Sequence, residues 1–281
     1  MTAESLYRRG IFALDRALTR PGAVRRRQAI YWSSIWTQVR RADMGGSFCV
    51  TGFPSSGTNW LCNLVSCYFG VPVFEPWMRL TPTLAPHVFH LHRFIDTPAA
   101  RARTLYITRD GRDALVSRYM KLSPNPNDDR PLRAFEATSG ITYDKTEARA
   151  QLPAFIEWYF NESRFSAMNW ADHVRRARAL DLALLKFEDL KLTPLDTLEP
   201  VFERVSGQRI DRARLSDVVD QMDFVKLRAP ETAHHMRKSQ VGEWQALYTR
   251  EAREIFADYA QDALEEIGYE TGRDWVTIAD K

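Results

Sequence analysis

Apolar and polar positions follow two rhythms along this chain, and the change from one to the other marks its elements. Short apolar runs, partly β-branched, occur at Phe48–Thr51, at 87–92 (HVFHLH), at Thr104–Thr108 and at Leu182–Phe187. Each is too short for a helix and is bounded by polar or turn residues, so each predicts a strand. Apolar residues recur at helical spacing over Thr58–Phe69 (Trp60, Leu61, Leu64, Val65, Tyr68), over Gly111–Leu122, over 152–163 and 166–179, and near 194–206, 211–219 and 249–267. Residues 1–42 read as two helices broken at Pro21–Gly22. Strands that alternate with helices predict an α/β fold, a parallel sheet covered on both faces, with ligands bound at the carboxyl ends of its strands. The expected division is a helical segment, 1–43, packed on a main domain, 44–281.

Two stretches lack either rhythm. Residues 70–86 are Pro-rich and aromatic (Phe74, Pro76, Trp77, Pro82), and either line an apolar pocket or cover the core. Residues 123–150 hold Pro124, Pro126, Pro131, Asn127-Asp128-Asp129 and Gly140, and predict a long mobile loop, a candidate lid.

Composition narrows the class. An apolar fraction of 44% and a charged fraction of 27% in 281 residues describe a soluble globular protein with ample length for a core. No apolar run approaches a membrane span, and no secretory leader pattern opens the chain. Three cysteines, Cys49, Cys62 and Cys67, crowd around one loop; free thiols in the cytoplasm fit them better than a disulfide framework. No His/Cys cluster has metal-site spacing. The net charge of +3 hides an asymmetry: residues 1–43 carry nine Arg against three acids, net +6, so the remainder is net −3. A solvated helical face explains this most simply. The sharper alternative is a basic amphipathic helix (Arg25–Arg27, then Ile30, Tyr31, Trp32, Ile35, Trp36) that approaches an acidic or membrane surface.

The candidate chemistry centres on residues 47–69. A strand, a Gly52-Phe53-Pro54-Ser55-Ser56-Gly57 loop and a helix follow one another, so free N–H groups and a helix dipole converge on one small volume suited to an anion. Gly52 and Gly57 keep the spacing of a phosphate loop, GxxxxGK[ST], with the lysine deleted. Such a loop is poorly built for a γ-phosphoryl with metal, but can still hold a diester-like phosphate and a weakly basic sulfonate. Three further stretches fit an anion site. Arg109 ends a strand and Ser117 lies two helical turns on, a charged fork and a hydroxyl. Arg237 and Lys238 precede Gly242 and suit a second anion. His90 and His92 alternate on one strand, upstream of Arg109, where a neutral imidazole can act as a base.

Together these stretches resemble the cytosolic-type sulfotransferases, which transfer a sulfonate from 3′-phosphoadenosine 5′-phosphosulfate (PAPS). The family's PKSGTTW loop is similar to Pro54-Ser55-Ser56-Gly57-Thr58-Asn59-Trp60; its arginine and serine share the gap from Arg109 to Ser117; its YEDL and RKGxxGDW stretches resemble Phe187–Leu190 and Arg237–Trp244. The resemblance runs from about 47 to 270. It implies a P-loop-like fold, PAPS as co-substrate, adenosine 3′,5′-bisphosphate as product, and no metal. It places the 5′-phosphosulfate on Ser55, Ser56, Gly57, Thr58, Asn59 and Trp60. The 3′-phosphate falls to Arg109, Ser117, Arg237 and Lys238, with Ser239 at the family's clamp glycine; Trp60 and Phe224 enclose the adenine. The base is a histidine: one alignment selects His90, the other selects His92 with His90 replacing a family lysine, and the distance to Arg109 favours His92. The loop lysine is Ser55 here, with Arg93 or Lys186 as candidate substitutes. The acceptor would be a small-molecule or lipid-borne hydroxyl rather than a nucleic acid, met by Phe74, Trp77, Tyr119 or Trp158, and the family often forms homodimers. A P-loop nucleotide kinase, or a non-catalytic protein that binds adenosine bisphosphate, are the alternatives.

Overall fold

A computed structural model describes residues 21–74, 83–122, 129–161, 168–222 and 240–278, with side chains from residue 28 onward. Its centre is a four-stranded, wholly parallel sheet: β1 (Phe48–Thr51), β2 (Val88–Leu91), β3 (Thr104–Thr108) and β4 (Ala183–Lys186), in the order β2-β1-β3-β4. Cys49 is paired with Phe89 on one side and Thr104 on the other, and Ile107 with Leu185.

Alternation along the strands sorts side chains to two buried faces. Phe48, Val50, Val88, Leu105, Ile107, Ala183 and Leu185 pack with α2 (Thr58–Phe69), and with α9 (Pro194–Ser206) and α10 (Arg212–Gln221). On the opposite face Cys49, Phe89 and Leu91 meet Ile30, Ile35 and Val39 around α1 (Pro21–Gln38), together with Ala100 of α3 (Pro98–Ala102). Tyr106 on that face packs with Ala177 of α7 (Trp170–Ala179). A second core joins α4 (Gly111–Tyr119), α5 (Arg130–Ser139), α6 (Ala148–Asn161) and α7 to α11 (Trp244–Leu247) and α12 (Arg250–Glu266).

Between β1 and β3 the strand order reverses: the connection from β1 leads outward to β2, and that from β2 crosses back to β3. Such a reversal opens a crevice at the carboxyl ends. The loop 52–57, which follows β1, and Arg109, which follows β3, flank it.

The structure corrects two sequence expectations. Residues 130–139 form a helix inside the stretch expected as a long loop, and the helix expected over 152–163 runs over 148–161, entered through a short 3-10 turn, Lys145–Glu147. Pro131 is not a breaker there; it occupies the first turn of α5, where its missing N–H costs nothing. The fourth strand stops at Lys186, and Phe187 instead opens α8 (Phe187–Leu192).

Candidate functional site

The loop after β1 is shaped by contacts that only small residues permit. A Cβ on Gly52 would lie 2.3 Å from the Ile107 carbonyl oxygen, so glycine allows β1 to end directly against β3. Ser55 (φ 78°) and Gly57 (φ 92°) take left-handed backbone, an uncommon conformation for serine. A Cβ on Gly57 would meet Phe187 Cδ2 at 2.7 Å. The Ser56 N–H donates to the Phe53 carbonyl at 3.1 Å, while the fully buried Ser56 Oγ has no partner among the described residues. A buried hydroxyl without a partner carries a desolvation cost that a bound acceptor would remove. Left-handed turns, an orphan hydroxyl and the N-terminus of α2 therefore fit a phosphate-sized anion.

Trp60 and Thr58, on the first turns of α2, look outward from this loop to other elements. The indole N–H of Trp60 donates to the Met222 carbonyl at 3.0 Å, tying α2 to the end of α10. Its ring meets Phe187 edge-on at 6.0 Å. Thr58 Oγ1 lies 2.8 Å from His90 Nε2. Asn59 is exposed.

The two histidines stand at the end of β2 with ring centroids 4.8 Å apart. His92 Nδ1 lies 2.8 Å from the Gly52 carbonyl. A carbonyl only accepts, so Nδ1 carries the proton and Nε2 holds the lone pair of the neutral ring. Burial lowers the His92 pKa; the Gly52 carbonyl opposes this, and the nearby charges of Arg118 and Lys121 add to it. For His90, burial and then the charge of His92 lower the pKa to about 4. Both imidazoles are therefore neutral near pH 7, as a base must be.

Arg109 is buried at the end of β3. Its Nη2 donates to the Gln240 carbonyl at 2.6 Å and lies 3.5 Å from Asp113; its guanidinium stacks 5.3 Å from the Phe187 ring; its Nε has no partner among the described residues. Ser117 is buried in α4. Asp113, which the sequence offers only as an ion-pair partner for Arg109, also accepts the N–H groups of Gly242 (2.8 Å) and Trp244 (3.0 Å). Burial holds its pKa above the usual carboxylate value despite Arg109 and these donors. Asp113 thus fixes the chain just after the expected basic clamp. Phe224, Arg237, Lys238 and Ser239, like Trp77, lie outside the described residues.

The FEDL stretch acts as the floor of the site. Phe187 underlies Gly57, Trp60 and Arg109, and Glu188 accepts the Asp110 N–H at 3.0 Å and the Tyr269 hydroxyl at 2.6 Å.

Other expectations fall elsewhere. Lys186 donates to the Gly268 carbonyl at 3.0 Å and sits over the Tyr269 ring, and Arg93 is exposed. The cation that does reach the loop is Lys121, whose Nζ donates to Ser55 Oγ at 3.2 Å. No sequence signal points to it, since the contact joins positions 66 residues apart. Tyr119 and Trp158 are buried in the helical core, and Phe74 packs against Tyr31 and Phe89, so these aromatics are core residues; Trp158 also borders a cleft between α5 and α6, with Thr138, Ser139 and Glu157, whose lining holds no residue of the loop 52–57. Among the described residues no group of three or more His, Cys, Asp or Glu is placed to hold a metal ion, and no helix is long and apolar enough to cross a membrane.

Comparison with known proteins gives this geometry a context. A sulfotransferase domain family model matches residues 78–268; the loop 52–57 precedes that span and rests on its own geometry. Rat sulfotransferase 2A1 is 21% identical over 258 residues, covering 75% of this chain and 82% of its own. The 3-alpha-hydroxysteroid sulfotransferase of Cavia porcellus is 22% identical over 253 residues, covering 75% and 81%. Among solved structures, mouse sulfotransferase SULT7A1 complexed with PAP superposes with a TM-score of 0.57 at 15% identity, covering 84% of this chain and 93% of that one. A retinol dehydratase in complex with androsterone and PAP also gives 0.57, at 13% identity, covering 84% and 85%. At such identities the structural matches show the fold.

Proposed function

The chain belongs to the family of sulfotransferase-domain proteins, and on that premise we propose how its residues share the transfer of a sulfonate from PAPS to a hydroxyl of a small-molecule acceptor. PAPS supplies the sulfonate and, in its 5′-phosphate, the leaving group. The N–H groups of the 55–60 stretch and the Ser56 hydroxyl hold the 5′-phosphate. Arg109 and Ser117, with Arg237, Lys238 and Ser239 from the segment that Asp113 anchors, hold the 3′-phosphate. Trp60 and Phe224 enclose the adenine. His92 accepts the acceptor's hydroxyl proton on Nε2 as the new oxygen–sulfur bond forms and the bond from sulfur to the bridging phosphate oxygen breaks. The N-terminus of α2 stabilises the charge left on the departing phosphate. His90, held by Thr58, sets the end of β2 from which His92 reaches the loop.

One observation carries this reading: the 2.8 Å hydrogen bond from His92 Nδ1 to the Gly52 carbonyl. It fixes the basic tautomer and ties the base to the first residue of the phosphate-binding loop. The guinea-pig relative's steroid and the retinol dehydratase's androsterone support a small alcohol as acceptor. Trp36 (50% exposed) and Leu84 (63%), beside Arg40 and Arg41 on the surface, support a weak contact with an anionic membrane, through which a lipid-borne alcohol would be met. A homodimer is carried from the resemblance alone.

Thermal unfolding tests the reading. Adenosine 3′,5′-bisphosphate at 100 times its Kd should stabilise by about 2.7 kcal/mol, a rise of several degrees, whereas ADP and Mg-ATP should not. A rise with Mg-ATP alone, or with no nucleotide, refutes it. Binding of the bisphosphate with no transfer from labelled PAPS to any alcohol would instead favour the non-catalytic alternative.

A further inference from the structure

The loop that receives the phosphosulfate lacks the cation that the resembling family carries there, and Ser55 occupies its place. We propose that Lys121, assisted by Arg118, supplies this missing positive charge from a different element, reaching over Ser55 to the oxygen that bridges phosphorus and sulfur. The inference rests on the proposed function and concerns how the same site handles the leaving group.

Three observations support it. Lys121 Nζ already donates to Ser55 Oγ at 3.2 Å, so the ammonium sits on the loop position where the lysine is absent. Arg118 lies in the last turn of α4 and Lys121 just beyond its C-terminus, at the negative end of the helix dipole, where cations are favoured. Both charges also lower the pKa of the His92 imidazole, so the pair stands in the neighbourhood of the base. In-line transfer requires the acceptor oxygen, the sulfur and the bridging oxygen to lie along one line, with the base at one end and the loop at the other. A cation that touches the loop and influences the base is therefore within reach of the oxygen on which charge accumulates. The other candidate, Lys186, is turned away to Gly268.

The arrangement also separates two duties. A lysine within the loop binds and polarises from the same backbone, whereas Lys121 arrives from the turn that ends α4, the helix that carries Ser117, a predicted 3′-phosphate ligand. Occupation of the 3′ side and delivery of the cation to the 5′ side are then linked through α4 and the turn that follows it.

The test compares two ligands that differ only in the 5′-phosphate, adenosine 3′,5′-bisphosphate and adenosine 3′-monophosphate, by calorimetry on the full chain. Lys121→Met should weaken the bisphosphate by about 5- to 10-fold, the loss of one charge-assisted contact at an exposed site, and leave the monophosphate unchanged. Lys121→Arg should retain most of the affinity. Ser55→Lys added to Lys121→Met should restore it, because the charge returns at the loop. Equal bisphosphate affinity in wild type and Lys121→Met overturns the proposal while leaving the sulfotransferase site intact. Loss of both ligands alike also overturns it, since that marks a structural role. A wild type that binds the bisphosphate no better than the monophosphate removes the 5′ site itself, and the proposal with it.

Discussion

Adding one methyl group to Gly57 tests the coupling between the loop and its floor. Gly57→Ala carries two separate costs. Its φ of 92° puts an alanine in left-handed backbone, at about 1–2 kcal/mol. The new Cβ would also stand 2.7 Å from Phe187 Cδ2, so the ring must retreat by about 0.7 Å to reach ordinary contact. Phe187 is 3% exposed and is held by Trp60 at 6.0 Å and by the Arg109 guanidinium at 5.3 Å. Overpacking at such a site costs about 1–3 kcal/mol. Gly70 is the natural control: it caps the other end of α2 with φ 66°, and a Cβ there meets nothing within 4 Å. Gly70→Ala should therefore show the backbone cost alone. At about 2–4 °C per kcal/mol for a chain of this order, Gly57→Ala should melt several degrees below Gly70→Ala. It should also bind adenosine 3′,5′-bisphosphate at least about tenfold more weakly, because moving Phe187 disturbs Trp60 and Arg109 together. Calorimetric melting and nucleotide titration of the two variants provide the measurement. If they melt within about 2 °C of each other, and Gly57→Ala keeps wild-type affinity, then Phe187 does not hold the loop and the argument fails.

Three further outcomes are expected. Ser56→Ala should leave the ligand-free protein as stable as wild type or more so, since it removes a buried hydroxyl without a described partner, yet weaken the bisphosphate; a loss of stability would show that the hydroxyl is already satisfied. His92→Ala should lower kcat about 10²–10⁴-fold on an alcohol found by screening with labelled PAPS, with bisphosphate affinity retained; normal turnover in this variant and in His90→Ala would dismiss both as base. Acid should destabilise the fold. Burial lowers His173 and His90 from 6.5 to about 4, so the unfolded chain binds more protons between those values. Stability is then complete above pH 6.5 and falls as pH drops towards 4, by up to about 1.4 kcal/mol per pH unit for each fully buried ring. His173, 1% exposed, should dominate, and His173→Phe should flatten the dependence by about one proton; an unchanged slope would contradict this.

What could be read from the sequence was local. The strand–loop–helix at 48–69, the strand ends at His90 and Arg109, and the Phe187–Leu190 stretch depend on neighbours within a few residues, and their patterns persist in the fold. What depended on tertiary placement did not show. Lys121 lies 66 residues from Ser55, and nothing in either stretch announces the other. Asp113 looked like a partner for Arg109 alone, and its two backbone donors come from residues 242 and 244. Tyr119 and Trp158 carry the same aromatic signature whether they line a pocket or fill a core, and only packing separates the two. Pro131 was misjudged for a different reason: proline breaks a helix inside it but begins one at its first turn, and composition does not say which.

The reversal of strand order between β1 and β3 divides the machinery along the chain as well as in space. Everything up to α3 holds the loop 52–57, the proposed phosphate loop, and both histidines; everything from β3 onward holds Arg109, Ser117, Lys121 and the floor at Phe187. The hydrogen bonds between β1 and β3 are the seam. Two fragments cut in the link between β2 and β3 would each carry half of the proposed catalytic set, so each is expected to be inert alone and active only when the seam re-forms. The topology thus makes this enzyme a natural candidate for a split reporter, in which sulfonate transfer announces that two separately made polypeptides have met.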